Sequence, residues 1–349
     1  MRSFTKLRGS AKALIASALL HEWSRMRRAS TIRCVKKKQK TRYRIRNWRQ
    51  YNAALVQRGS LTLWVDEAAL AGWRNQEKSG RRGASRTYCD SAIVCGLTLQ
   101  SVYHLPLRAT VGMLRSLFEL MQVELPVPDF STLCRRRQTL EVSLLAQPPK
   151  GRLHLLVDAS GFKVYGEGEW KVRQHGYSKR RTWRKLHIGI DEATGEVVAA
   201  MASTNDLRDD ALLGDLLSQV PGEIEQVSGD GIYDTTECYR LLEKRKARAV
   251  IPPRRGARKS PKPEMEARNA HIERIQQLNQ QGEDGRKKWK QEVGYHRRSL
   301  VETAFFRLKT IFGNTLSARH FQAQANELFV RCAALNRMTQ LGMPHSQPI

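Results

Sequence analysis

Three carboxylates in the second half of this chain have the types and spacing that metal-assisted chemistry would need. Asp158 closes the apolar run LHLLVD, Asp230 closes EIEQVSGD, and Glu302 lies in YHRRSLVETAFFRLK, which has a helical pattern. Two acids leaving strand ends and a third on a helix can converge on one point. A few carboxylates at one point suit Mg²⁺, which takes oxygen ligands and keeps several waters. The surrounding chain has 61 Lys and Arg against 33 Asp and Glu, a formal net charge of +28. A charge that large opposes compaction and favours polyanionic partners, nucleic acid above all. Together these features imply metal-dependent phosphodiester chemistry on nucleic acid. Two divalent ions about 3.5–4 Å apart would activate the attacking oxygen and stabilise the leaving one.

Taken singly, each acid has a plain structural reading. Asp158 could be a turn residue, Asp230-Gly231 a turn dipeptide, and Glu302 a surface residue on a helix. The neighbours of Glu302 change that weighting. They read Tyr295-x2-Arg298-x3-Glu302-x6-Lys309. On one helix Arg298 and Glu302 are i and i+4, while Tyr295 and Lys309 lie seven residues to either side of Glu302, so all four share a stripe. That stripe is either an ordinary surface ion pair or a metal-binding carboxylate flanked by phosphate clamps.

The elements that must position these groups show as a change of hydrophobic period. Residues 60–145 read as mostly helical. SLTLWVDEAALAGW carries a helical stripe, and NQEKSGRRGASR is a loop. CDSAIVCGLTLQSVYHL predicts a helix capped by Asp90 or Ser91, and LRATVGMLRSLFELMQ starts after Pro106. Asp129 or Ser131 caps a following helix that bears Arg135, Arg136 and Arg137. A short helix, a tight turn and a basic helix resemble a helix-turn-helix. After a linker at 145–150 the pattern turns to strands. LHLLVD and FKVYG are two strands separated by a turn at Ser160-Gly161, and RKLHIGID pairs with EVVAAMAS as a hairpin across EATG. EIEQVSGD and RAVIPP then alternate with the helices LRDDALLGDLLSQV and TTECYRLLEKRKA. A meander followed by strand–helix alternation predicts an α/β chain with a mixed sheet, in the order of the ribonuclease H-like fold. Residues 254–294 break the alternation. They read as an insertion: the basic loop RRGARKSPKP, the polar helix EMEARNAHIERIQQLNQQ and the loop-like GEDGRKKWKQEVG.

Other classes fit less well. No apolar run reaches the roughly 18–20 residues of a membrane span. Near the N-terminus ALIASALL follows basic residues as a signal peptide would, but HEWSRMRR comes directly after it. The six cysteines form no CxxC pair and read as reduced thiols filling a core in a cytosolic protein. VKKKQKTRYRIRNWRQ interleaves basic residues with Tyr43 and Trp48, a pattern suited to phosphates and a groove.

The stripe at 295–309 resembles the Y-(2)-R-(3)-E-(6)-K signature of DDE transposases from bacterial insertion sequences, the insertion-sequence five family in particular. VDASGFKVYG is similar to that family's first-aspartate block, SGDGIYD to its second, and GYHRRSLVETAFFRLK to its glutamate block. Asp158 and Asp230 stand 72 positions apart, as do Asp230 and Glu302. The second interval leaves room only for a small insertion, as in that family. The resemblance covers about residues 36–340 and is most specific from 151 to 321.

The resemblance implies that Asp158, Asp230 and Glu302 bind two Mg²⁺ ions, with Mn²⁺ as a substitute, and that Tyr295, Arg298 and Lys309 grip phosphates near the transposon end. RQHGYSKRRTWRKLH would add Arg173, Lys179, Arg180, Arg181, Arg184 and Lys185 to a DNA channel, chiefly on the strength of their charge. Trp289, in the insertion, would be the aromatic that holds a flipped base. Residues 1–34 precede the point where the family pattern would begin, and read as an extension or as translated upstream sequence from a mis-set start.

The expected organisation is then an extension (1–34), a basic arm (35–59), a helical DNA-binding domain (60–145), a ribonuclease H-like catalytic domain (151–325) with its insertion at 254–294, and a C-terminal helix and tail (326–349). The expected protein is a bacterial, cytoplasmic, nucleoid-associated transposase, without a membrane association. It would bind terminal inverted repeats of double-stranded DNA, cut at the ends and join them to target DNA, as a homodimer in the synaptic complex. A silent terminal-repeat-binding repressor, or a ribonuclease H-like nuclease without strand transfer, are the competing expectations.

Overall fold

A computed structural model describes residues 43–65, 67–75, 86–144, 151–164 and 183–349. The expected extension, the first part of the basic arm, most of the loop NQEKSGRRGASR and the linker at 145–150 lie outside the described residues, as do Arg173, Lys179, Arg180 and Arg181. The chain divides into two compact units. In the smaller, β1 (Tyr43–Ile45) pairs antiparallel with β8 (Ser346–Pro348).

The larger unit runs from Asn47 to Pro344. It opens with α1 (Trp48–Gln57), so the second half of the expected arm is a helix that buries Ala54. The SLTLWVDEAALAGW stripe is broken into α2 (Leu61–Trp64) and α3 (Glu67–Ala71). Helices α4 (Asp90–Val102), α5 (Leu107–Leu120) and α6 (Phe130–Arg136) follow. Cys89, not Asp90 or Ser91, occupies the N-cap of α4, and the Asp90 carboxylate in the first turn pairs with Arg136. Asp129 caps α6 as expected and accepts the Ser131 amide at 2.9 Å. The α5–α6 connection spans residues 121–129, longer than the expected tight turn.

The sheet contains β2 (Leu153–Val164), β3 (Trp183–Asp191), β4 (Val197–Thr204), β5 (Ile224–Ser228) and β6 (Arg248–Val250), ordered β4-β3-β2-β5-β6, and β7 (Thr315–Leu316) also pairs with β2. The β2/β3 and β3/β4 pairs are antiparallel, and β5, β6 and β7 join in parallel. The result is a mixed sheet in an α/β chain, with the expected hairpin across EATG.

One local expectation fails. No turn interrupts LHLLVDASGFKV, where Ser160 pairs with Leu186 and Gly161 with Lys185, so β2 is one 12-residue strand. Gly161 is there for close packing: a Cβ would lie 3.2 Å from the Trp183 ring. Asp158 therefore stands in mid-strand rather than at a strand end.

Side chains alternate across β2. Leu153, Leu155 and Val157 enter a core with α7 (Leu213–Gln219) and α8 (Thr236–Lys244). Leu156 and Phe162 face the opposite way. The insertion holds two helices, α9 (Glu266–Gln280) and α10 (Gly285–Glu292), where only the first was expected. Asp284 caps α10 by accepting the Lys287 amide at 3.1 Å, and Trp289 buries itself beneath it.

The chain continues with α11 (Ser299–Phe312) and α12 (Phe321–Gln340). Trp64, Leu99 and Phe118 from the helical segment share one cluster with Leu156 and Phe162 of the sheet and Phe305, Leu328 and Leu335 of the last two helices. The helices of 60–145 thus pack into the same core as the sheet. Helix α12 threads this core and carries a buried polar network. Glu327 pairs with Arg331 at 2.6 Å and Arg137 at 3.7 Å and accepts the Ser317 and Ala318 amides. Among the described residues, no helix is long and apolar enough to cross a membrane.

Candidate active site

The site is set by sheet register. Leu156 of β2 lies opposite Ser228 of the parallel strand β5. Two residues beyond each stand Asp158 and Asp230. β5 ends at Ser228 and β7 joins β2 only at Lys163, so between them the edge of β2 opens beside Asp158. Leu156, Asp158, Ser160 and Phe162 share one face by the period of two, the face against which α11 packs.

Asp230 follows the strand as the N-cap of a short 3₁₀ turn, Gly231–Tyr233, and accepts the Ile232 amide at 2.8 Å. Gly229 allows this geometry. A Cβ there would sit 2.8 Å from the Tyr233 ring and 3.2 Å from Val157. Asp234, buried behind the turn, accepts from Arg268 at 2.7 Å and from the Arg254 amide at 2.8 Å, tying the insertion to the Asp230 loop. The motif SGDGIYD contained Asp234, but its partners come from a segment that the sequence offers only as an insertion.

The four-residue stripe is not on one helix. Tyr295–Arg298 form a 3₁₀ turn, and α11 begins at Ser299. Gly294, in the left-handed region at φ 66°, breaks the chain between α10 and this turn. Arg297 pins the turn to the β3–β4 hairpin through Glu192 at 2.7 Å. Arg298 then reaches two acids. Its guanidinium donates to Asp158 Oδ2 at 3.0 Å and to Glu302 Oε1. Its Cζ lies 5.8 Å from the centre of the Tyr295 ring. Lys309 donates to the Ser160 hydroxyl at 2.7 Å, and its ammonium is 5.3 Å from the Phe162 ring. Ser160, read as a turn residue from the sequence, is thus the anchor for Lys309.

Burial raises the Asp158 carboxyl above its ordinary range and the nearby Asp230 adds to this, while the Ala159 amide and Arg298 work against it. Burial lowers the Lys309 ammonium. Both side chains therefore interact through a medium less screening than water.

The expected meeting of three carboxylates at one point is not what the structure holds. Among the described residues, no three His, Cys, Asp or Glu side chains are grouped closely enough to cage a metal. Arg298 instead bridges two of the carboxylates, Asp158 and Glu302. The donor set nonetheless suits a hard divalent cation, being carboxylate oxygen throughout. One oxygen each of Asp230 and Glu302 also lacks a hydrogen-bond partner among the described residues.

Other predicted contacts are placed elsewhere. Arg137 is buried, bonds Gln100 and pairs with Glu327, so it braces the core and is not at the surface. Arg136 is spent on Asp90 and the Tyr88 carbonyl. Of the three, only Arg135 is exposed. The charges of Arg184 and Lys185 are also engaged: Arg184 donates to Gln324 at 2.7 Å, and Lys185 pairs with Asp209 at 3.0 Å. Trp289 is 1% exposed and its indole donates to His271 at 3.2 Å, so no face of it is open to a base. Cys134 is exposed and Cys89 partly so, whereas Cys95, Cys238 and Cys332 fill the core as expected.

Two family profiles, both described as "Transposase DDE domain", match the chain, at residues 56–167 and 149–337. They define the class: a chain that carries the transposase DDE domain. The chain belongs to the transposase DDE domain family. A solved structure described as "Cryo-EM structure of piggyBac transposase synaptic complex with hairpin DNA" is similar at 14% identity and a TM-score of 0.26, over 59% of this chain and 54% of that one. The chain thus spans about half the length of that protein.

Proposed function

We propose that this chain is a ribonuclease H-like transposase of the insertion-sequence five group, which binds the terminal inverted repeats of its own element, cuts at the ends and joins the 3′-hydroxyls to target DNA. The observation that carries this reading is the shared register of Asp158 and Asp230, with Glu302 linked to Asp158 through Arg298. Strand order β4-β3-β2-β5-β6 supports the fold. Asp158, Asp230 and Glu302 would hold two Mg²⁺ ions, or Mn²⁺ in their place. Held there, such ions would supply activation of the attacking oxygen and stabilisation of the leaving one.

The protein's own groups do the rest. Burial around Asp158 limits water at the acid. Arg298, released from the carboxylates, presents a two-pronged donor to a phosphate. Lys309 supplies a point charge on the same side, and the Tyr295 ring lies 5.8 Å from the guanidinium carbon of Arg298. Exposed Arg135, with Lys179, Arg180 and Arg181, would supply further cations for DNA. Paired ends would be brought together by a homodimer, in the nucleoid of a bacterial cytoplasm.

The test is strand transfer. Purified protein is mixed with a linear duplex bearing a pre-cut terminal repeat, a supercoiled target plasmid and Mg²⁺. Joined products are expected. Cleavage of uncut ends without any joining would establish a nuclease instead, and tight binding with neither reaction would establish a repressor.

A further inference from the structure

Among the described residues, two ion pairs join the 295–298 turn to the sheet. Arg298 pairs with Asp158 at 3.0 Å, and Arg297 pairs with Glu192 at 2.7 Å. The two do not have the same future when DNA arrives. Arg298 must let go of Asp158 to take hold of a phosphate, whereas nothing in that reading draws Arg297 away. The Arg297–Glu192 pair is then what still holds the turn.

Glu192 is well placed to hold it. It is the first residue past β3, and its amide donates to the His154 carbonyl of β2 at 2.9 Å. Its carboxylate also stands 3.2 Å from one nitrogen of the His154 ring, and the other ring nitrogen is 3.6 Å from Glu225 of β5. Burial opposes the charge of Glu192, but its bonds to Arg297 and His154 prevail and hold the carboxyl below its ordinary range. The run Glu225–His154–Glu192–Arg297 thus joins the three elements that lead to the acids. β5 leads to Asp230, β2 carries Asp158, and the turn runs directly into α11, which carries Glu302.

The turn converts this anchor into direction. A 3₁₀ helix has three residues per turn, so neighbouring side chains point about 120° apart. With Arg297 aimed at the hairpin, Arg298 is aimed at the acids. On its other side the turn is entered through Gly294, and the insertion touches it through Tyr295, whose ring centre lies 6.3 Å from that of Trp289 and 5.0 Å from the Lys290 ammonium. The Arg297 side chain is 48% exposed, and exposed ion pairs add little to stability. What this pair supplies is geometry.

We infer that Glu192 is a positioning residue for DNA cutting: through Arg297 it fixes the 295–298 turn, and with it the aim of Arg298 and the seat of Glu302, once Arg298 has exchanged Asp158 for a phosphate. This rests on the reading of the site as a DNA-cutting centre. Glu192 itself touches neither DNA nor metal.

The test is a double-mutant cycle of Glu192→Gln and Arg297→Gln on a linear duplex carrying the terminal repeat. Each protein is read three ways: melting temperature, duplex affinity in EDTA, and cutting rate in Mg²⁺ with the protein saturating. Each single variant should cut about ten- to a hundredfold more slowly, the loss that a misplacement of about 1 Å can produce. The double variant should fall no more than about twofold below the slower single variant, because both substitutions remove the same link. Duplex affinity should stay within about threefold, and melting temperature within about 3 °C, of the wild type. A merely structural role would lower the melting temperature together with the rate, and that result overturns the inference. Losses that multiply in the double variant also overturn it. So does an Arg297→Gln protein that binds the duplex weakly beside a Glu192→Gln protein that cuts normally, which would make Arg297 a DNA contact. If the wild type cuts nothing, the reading of the site itself falls, and this inference with it. If the wild type cuts and Glu192→Gln matches it, only the positioning role falls.

Discussion

Two clusters in this molecule combine arginines and carboxylates, and they are built in opposite senses. Around Glu327 one carboxylate sits between two guanidiniums, Arg137 and Arg331, and all three side chains are less than a tenth exposed. The Ser317 and Ala318 amides fill what remains of the acid's acceptor capacity. Around Arg298 one guanidinium sits between two carboxylates, Asp158 and Glu302, with Asp230 nearby, and the side chain of Glu302 is 56% exposed. The first cluster carries a formal excess of positive charge and leaves its carboxylate no spare acceptor, while the Nε of each arginine is buried without a partner among the described residues. The second carries an excess of negative charge and is open. A buried cluster without spare acceptors holds elements together. An open one with spare carboxylate oxygens attracts cations that the protein does not itself supply.

The largest expected effect comes from breaking the closed cluster. Glu327→Ala leaves two buried guanidiniums unpaired and should lower the unfolding free energy by roughly 3–5 kcal/mol, read from urea denaturation. Glu302→Ala, in the open cluster, should change it by less than about 1 kcal/mol. Equal losses would erase the distinction between the two sites.

Next is the frame of the open cluster. Gly229→Ala forces a Cβ towards the Tyr233 ring and should cost about 1–3 kcal/mol of stability. DNA cutting should fall much further than melting temperature, because the displaced chain carries Asp230. Loss of stability with full cutting would show that the Asp230 loop tolerates the shift.

Arg298→Gln sharpens the same contrast. Removing the cation that competes for Asp158 and Glu302 should strengthen Mn²⁺ binding by the DNA-free protein about tenfold, measured by titration calorimetry. Unchanged affinity would mean that the guanidinium does not stand in for a metal. The smallest effect should come from Arg135→Ala, a few-fold loss of DNA affinity without a change in melting temperature. Arg137→Ala should do the reverse, lowering stability, because its charge serves the core.

The sequence made the three acids and the basic residues beside Glu302 legible, because local spacing and hydrophobic period carried them. It did not reveal what joined them. LHLLVDASGFKV looked like two strands because Ser-Gly is a turn signal, yet the β3 ladder keeps it extended and brings Ser160 to Lys309. Tyr295 and Arg298 looked helical from spacing alone, but Gly294 and the Arg297–Glu192 pair set a 3₁₀ turn there. Arg135, Arg136 and Arg137 looked alike as a basic run. Only tertiary contacts, Asp90 for Arg136 and Glu327 for Arg137, divide them into one exposed and two structural residues. GEDGRKKWKQEVG looked like a loop because it is polar and Gly-bounded, whereas the Asp284 cap and the burial of Trp289 make it a helix.

The most direct test of the central claim is cutting of a linear duplex with the terminal repeat, by the wild type and by Asp158→Asn, Asp230→Asn and Glu302→Gln, each with Mg²⁺ and with EDTA. The account predicts cuts at the repeat terminus with Mg²⁺ and none with EDTA. None of the three variants should cut, although each still binds the duplex. Cleavage that persists in any of them, or that EDTA leaves intact, would contradict a metal site built on these three acids.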